Sequence, residues 1–213
     1  MNNLGIISKY GYKCITISVV LLILSWIFDF WFSFFTILLL ATLWVYRNPE
    51  RLPQSEDSKA ILSPIDGVVE DIKKCNYNGR SYSEILIRSR IIDCGVLRAT
   101  CDMEISDIKR RNGLNLHSSD SNSNLLNNRA TIISKNQDII LRISTSALTS
   151  KIYLESITYV KSGRRIGFIK DGKVSLLMPL NTRISLTKGD KIKACNIIKP
   201  TDNEIVDLNE FMD

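Results

Sequence analysis

The sequence predicts a mainly β (α+β) protein, with an antiparallel β-sandwich or barrel-like domain behind an N-terminal transmembrane helical hairpin. Three observations carry that expectation. Residues 15–46 are almost wholly apolar, the chain after Arg47 has the composition of a water-soluble domain, and turn dipeptides cut that second part into short β-rich runs. With 213 residues, 45% apolar and 23% charged, the chain can bury a sizeable core. That composition excludes a disordered tail or a collagen-like repeat.

Residues 1–14 form a short N-terminal segment carrying Lys9 and Lys13. The stretch from Ile15 to Tyr46 contains one formal charge, Asp29. As a single helix it would span ~48 Å, well beyond a ~30 Å hydrocarbon core. Asp29 divides it into segments 15–28 and 30–46, so a hairpin with Asp29 at the far interface is expected, because a carboxylate in mid-bilayer is costly. Lys9 and Lys13 on one flank and Arg47 and Arg51 on the other lead us to expect both ends on the cytoplasmic side of the membrane. Trp44 and Tyr46 sit where an aromatic belt is expected. A cleaved signal peptide fits less well, since the stretch is too long and no small-residue cleavage site follows it.

Residues 47–60, RNPERLPQSEDSKA, read as a polar linker, and residues 61–213 as the globular domain. Within it, strands are expected at Ala60–Leu62, Val68–Ile72, Ser83–Ile87, Thr131–Ser134, Asp138–Ile143 and Lys151–Tyr159. Further strands are expected at Arg165–Ile169, Val174–Met178, Arg183–Leu186 and Ile192–Ile198. Asp66-Gly67, Asn78-Gly79, Asp171-Gly172 and Lys188-Gly189-Asp190 punctuate them. Residues 112–129 are rich in Asn and Ser, lack periodicity and read as a long loop. The five cysteines, at 14, 75, 94, 101 and 195, form no CxxC pair, and with a cytoplasmic domain reduced thiols are expected. A single histidine gives no readable metal site.

Several stretches resemble the short, membrane-anchored form of phosphatidylserine decarboxylase. Tyr46-Arg47-Asn48-Pro49-Glu50-Arg51 after the hairpin, then Leu62-Ser63-Pro64-Ile65-Asp66-Gly67-Val68-Val69, is similar to the family's "FFRNPER … SPADGVV". DCGVLRAT, residues 93–100, sits where the family has "FDVHVNRAP". RRIGFIKDGKVSLLMP, residues 164–179, is similar to "ERFGMIRFGSRVDVYLP". Residues 186–194 resemble its closing strand pair. The resemblance covers most of the chain and implies a hammerhead-type β domain. It also implies a proenzyme that cuts itself at a Gly-Ser bond through an Asp-His-Ser arrangement. The new N-terminal pyruvoyl group then serves as the self-derived cofactor that decarboxylates phosphatidylserine to phosphatidylethanolamine.

Carried over residue by residue, the resemblance puts the Asp at Asp66, the His position at Gly95 and the cleavage position at Gly172-Lys173. None of the ten glycines is followed by Ser. The expectation is therefore a relative in phospholipid biosynthesis that cannot form the pyruvoyl group, carries no cofactor, and binds lipid or assists another protein. An active decarboxylase processed at a non-standard bond, such as Val174-Ser175, is the alternative. Asp66 reads either as the surviving carboxylate or as the turn residue of an Asp-Gly pair. His117 reads as a loop histidine, and nothing near Lys173 in sequence marks it as a Schiff-base lysine. The expected partners are membrane phospholipids, together with an active decarboxylase paralogue or a second copy of the chain. The basic clusters Lys73-Lys74, Lys109-Arg110-Arg111 and Arg164-Arg165 read as lipid-attracting or as a solvated rim. No nucleic-acid motif is present. A likeness to lipoyl and biotinyl domains at residues 63–69 and 188–192 implies a related scaffold only, since no lysine hairpin for attachment is present.

Overall fold

A computed structural model describes residues 6–28, 31–55, 60–114, 116–117, 126–135, 139–149 and 151–199. Two apolar helices come first, α1 (Tyr12–Ile27) and α2 (Phe32–Val45). Asp29, the expected tip of the hairpin, lies outside the described residues. The helices pack on each other through Ser18 and Thr42, whose hydroxyls are 3.3 Å apart, and Cys14 meets the Tyr46 hydroxyl at 3.2 Å. Gly11 is required at their base, because a Cβ there would lie 2.4 Å from Cγ of Tyr46. Ile17, Ile23 and Trp26 of α1 and Phe34, Ile37 and Leu40 of α2 are exposed, so apolar surface surrounds both helices. The helix from Lys9 to Ile27 is long and apolar enough to cross a membrane; Phe32–Val45 is shorter.

Thirteen strands follow among the described residues, and every pairing between them is antiparallel. They are β1 (Ile61–Leu62), β2 (Gly67–Tyr77), β3 (Arg80–Ser89), β4 (Val96–Arg98), β5 (Met103–Arg111), β6 (Arg129–Ser134) and β7 (Ile140–Thr145). Then come β8 (Tyr153–Leu154), β9 (Tyr159–Val160), β10 (Arg165–Phe168), β11 (Gly172–Pro179), β12 (Lys191–Ile192) and β13 (Ile197–Lys199). Eight of them form one sheet, in the order β12-β2-β3-β11-β7-β6-β5-β9. A three-stranded sheet β4-β10-β8 and the pair β1-β13 complete the domain. The sheets are open, so the barrel-like alternative does not apply.

Alternation along the strands divides the large sheet into two faces. Ile85 and Ile87 of β3, Val174, Leu176 and Met178 of β11, and Leu141 and Ile143 of β7 enter the main core. Strand β11 is central, paired with β3 along its whole length and with β7 from Gly172 to Leu177. Its outward positions Lys173 and Ser175 are also buried, at 7% exposure each, so seven consecutive residues are closed to solvent.

Several sequence expectations are corrected. Arg183–Leu186 forms no strand; Ile184 and Leu186 pack on the core while Ser185 bonds the Ile198 carbonyl. The run 151–159 splits into β8 and β9, and 192–198 into β12 and β13, because each half pairs with a different partner. The loop begins after Arg111 as expected but Arg129 already belongs to β6, and β4 and β5 form where the sequence predicts no strand.

Candidate functional site

The tether between hairpin and domain is docked along its length. Arg47 stacks over the Trp44 ring at 4.3 Å and donates from Nη1 to the carbonyl of Ile92, 3.1 Å away. The Asn48 amide donates to the Ile6 carbonyl at 2.7 Å. The Pro49 carbonyl accepts from Nη2 of buried Arg98 at 2.8 Å, and the other Arg98 nitrogen bonds the Gly163 carbonyl at 2.9 Å. Glu50 pairs with Arg165 at 2.6 Å. Proline at position 49 fits because it presents only a carbonyl, which is the group this contact uses.

Arg51 ends the series on Asp66. Its two terminal nitrogens engage both carboxylate oxygens, Nη1 with Oδ1 and Nη2 with Oδ2, the latter at 2.6 Å. The Ala194 amide donates to Oδ1 at 2.8 Å. Asp66 is 7% exposed, and a carboxylate so buried needs this kind of planar two-point partner. It precedes β2 and ties together the tether, the β1–β2 turn and the segment after β12.

Gly95 leads into β4 and its carbonyl accepts from the Ile169 amide at 2.9 Å. A Cβ at this position would lie 2.0 Å from the Ile169 carbonyl oxygen, so the local backbone admits no side chain. Gly172 opens β11 on the other side of Ile169. A Cβ there would lie 2.2 Å from the Ser144 carbonyl and 2.7 Å from Cδ1 of Ile169. The next residue, Lys173, extends to Glu70, with Nζ 2.9 Å from Oε1, and its carbonyl accepts from the Ser144 hydroxyl at 3.2 Å. A bulge in β2 between Val69 and Asp71 inserts Glu70 into the strand.

Asp66, Gly95 and Gly172-Lys173, far apart in sequence, thus gather at one end of the large sheet. His117 is exposed on the β5–β6 connection, at the same end of the sheet; the neighbouring Leu116 is pinned by the Asn127 amide, which also bonds the carbonyl of Thr145, the partner of Gly172 in β7. Arg51, Glu70 and Arg98 were missed as partners. The charge complement of Arg51 and Asp66 in the two halves of one motif was the available signal for the first pair. Burial raises the pKa of the nearby thiols Cys94 and Cys195, and pushes that of Cys101 up to about 11, which favours their protonated forms.

The family model for phosphatidylserine decarboxylase matches residues 38–199. Similar curated relatives include three phosphatidylserine decarboxylase proenzymes. That of Carboxydothermus hydrogenoformans is 31% identical over 186 residues, covering 81% of this chain and 85% of the relative. That of Chlorobium chlorochromatii is 29% identical over 196 residues, covering 88% and 92%. That of Ehrlichia chaffeensis is 29% identical over 164 residues, covering 72% of each chain. No solved structure matches significantly. A match that runs from the end of the hairpin to the last strand, together with relatives aligned over most of their length, makes this chain a member of the phosphatidylserine decarboxylase family.

Proposed function

We propose that this chain is an uncleaved, non-catalytic member of the family, anchored in a cytoplasmic membrane with its domain on the cytoplasmic side, where it binds phospholipid or assists an active decarboxylase. The observation that carries the reading is the bond at Gly172-Lys173. A pyruvoyl group is made from a serine whose hydroxyl attacks the preceding carbonyl. Here that position holds a lysine, its ammonium is paired with Glu70, and the bond lies at the start of a strand hydrogen-bonded on both sides. The residues present do not fit the group.

Two further observations support it. Nucleophilic attack of this kind needs a base, which typically contributes ~10²–10⁴-fold. The matching position is Gly95, where the Ile169 carbonyl occupies the space of a Cβ. The carboxylate that would orient such a base, Asp66, is committed to Arg51 and the Ala194 amide. Ser175, the hydroxyl of the alternative bond, is buried in the middle of β11 opposite Leu86 and Arg142, far from a strained turn.

The anchor follows from α1 and α2. At 1.5 Å per residue they are ~24 and ~21 Å long, shorter than a ~30 Å hydrocarbon core, so a locally thinned bilayer around the apolar 15–46 stretch accounts for their exposed Trp, Phe, Ile and Leu. The protein partner under this reading is an active decarboxylase or a second copy of this chain. Reconstituted into vesicles containing phosphatidylserine, the chain is expected to release no phosphatidylethanolamine above protein-free vesicles. Steady production of phosphatidylethanolamine by the purified chain would overturn the reading.

A further inference from the structure

The outer face of the large sheet carries a row of cations near the end where the hairpin leaves. Cross-strand partners point to the same face, and the registers align Arg88 of β3 with Lys173 of β11, Lys173 with Ser144 of β7, Ser144 with Arg129 of β6, and Arg129 with Arg111 of β5. Arg142 lies one step further down the same face, opposite Ser175. Like charges placed side by side on a sheet repel. Lys173 is neutralised by Glu70, whereas burial and the charges of Arg142 and Arg111 lower the pKa of Arg129. The Nε of Arg88 is buried and makes no hydrogen bond among the described residues. Glu84, Asp71 and Asp107 lie on this face further from the row.

The loops at the same end of the sheet are tipped with exposed apolar side chains. Ile92, after β3, is 59% exposed and Leu148, after β7, is 65% exposed; Leu114 and Leu126 stand out from the β5–β6 connection. The carbonyl of Ile92 receives hydrogen bonds from the Trp44 indole and from Arg47, at the foot of α2. The apolar tips and the cation row are therefore continuous with the place where the hairpin meets the domain.

We propose that this end of the sheet is a docking surface for the anionic bilayer that holds the hairpin, with Ile92 and Leu148 entering the headgroup layer and Arg88, Arg111 and Arg129 meeting lipid phosphates. The proposal rests on the membrane-anchor reading above. Cations at an anionic surface and apolar tips below it are the two attractions such a contact uses. Docking would add a second contact between domain and bilayer to the one the tether makes through residues 47–51.

The test is amide hydrogen exchange on the full chain in nanodiscs, either of phosphatidylcholine alone or with a substantial fraction of phosphatidylglycerol. Exchange in the segments around Ile92 and Leu148 should slow about tenfold in the anionic discs. The slowing should shrink in high salt and be lost in the double variant Arg111→Gln/Arg129→Gln, while the β3 and β11 core amides stay unchanged. Equal exchange in both discs, with the chain inserted, overturns the docking proposal. A chain that stays in the aqueous fraction overturns the anchor reading instead. The acidic segment 200–213 is the competing occupant of the face. Protection that persists in neutral discs and disappears on Asp202→Asn/Glu204→Gln/Asp207→Asn/Glu210→Gln would assign the face to that segment and overturn the proposal.

Discussion

At the Asn78-Gly79 end of the large sheet the chain reverses in two residues, with Asn78 at φ 48° and Gly79 at φ 79°, while at the Ser89–Gly172 end the β1–β2, β3–β4 and β10–β11 connections meet near a docked tether. The first end is ordinary hairpin chemistry, in which both central residues adopt the left-handed conformation that matches strand twist. Nothing lies within 4 Å of a Cβ placed on Gly79. The second end holds Asp66 under Arg51, Lys173 under Glu70, and two glycines whose absent side chains are replaced by carbonyl oxygens. The contrast teaches that glycine is used at one end for its backbone angles and at the other for closeness of packing. The positions at which the resemblance leads one to expect the family's chemistry, Asp66, Gly95 and Gly172-Lys173, fall at the tightly packed end.

The largest effect expected is at Gly95. Gly95→Ala should cost about 4 kcal/mol, and Gly95→His no less, because the conflict is with a backbone oxygen at the first side-chain carbon. Thermal unfolding in detergent measures this; a tolerated alanine would mean that the site is looser than described. Next is Arg51→Ala, which strands the Asp66 carboxylate at low exposure and should cost about 3 kcal/mol, read by the same unfolding experiment. Glu70→Gln leaves the Lys173 ammonium beside Arg88 with a neutral partner. About 2 kcal/mol is expected, reduced from a fully buried pair because Glu70 is one-third exposed. The smallest is Gly79→Ala at the opposite end, about 1 kcal/mol from backbone conformation alone. If Gly79→Ala proved more damaging than Gly95→Ala, the comparison between the two ends would be wrong.

Features set by neighbours in sequence were legible. The apolar stretch, the Asn78-Gly79 reversal and the apolar, β-branched runs of β3, β7 and β11 can be read from a few consecutive residues. Strand β4 could not, since it is three buried residues held only by pairing with β10. Strand β5, MEISDIKRR, reads as polar because its exposed half lies next to an edge where β9 covers two residues. Arg183–Leu186 has the residues of a strand but touches β13 through Ser185 and Ile198 without forming a ladder. At the site, the motif positions were legible and their partners were not. Arg51 reaches Asp66 across the tether, and Glu70 is aimed at Lys173 by a bulge that depends on the register between β2 and β3.

The account stands or falls on whether the peptide bond after Gly172 survives, and the intact mass of the purified, detergent-solubilised chain tests that directly. A single species at 24.2 kDa is the expected result. Two fragments, the smaller beginning near residue 173 with an N-terminus blocked to sequencing, would contradict it and restore self-processing to this chain.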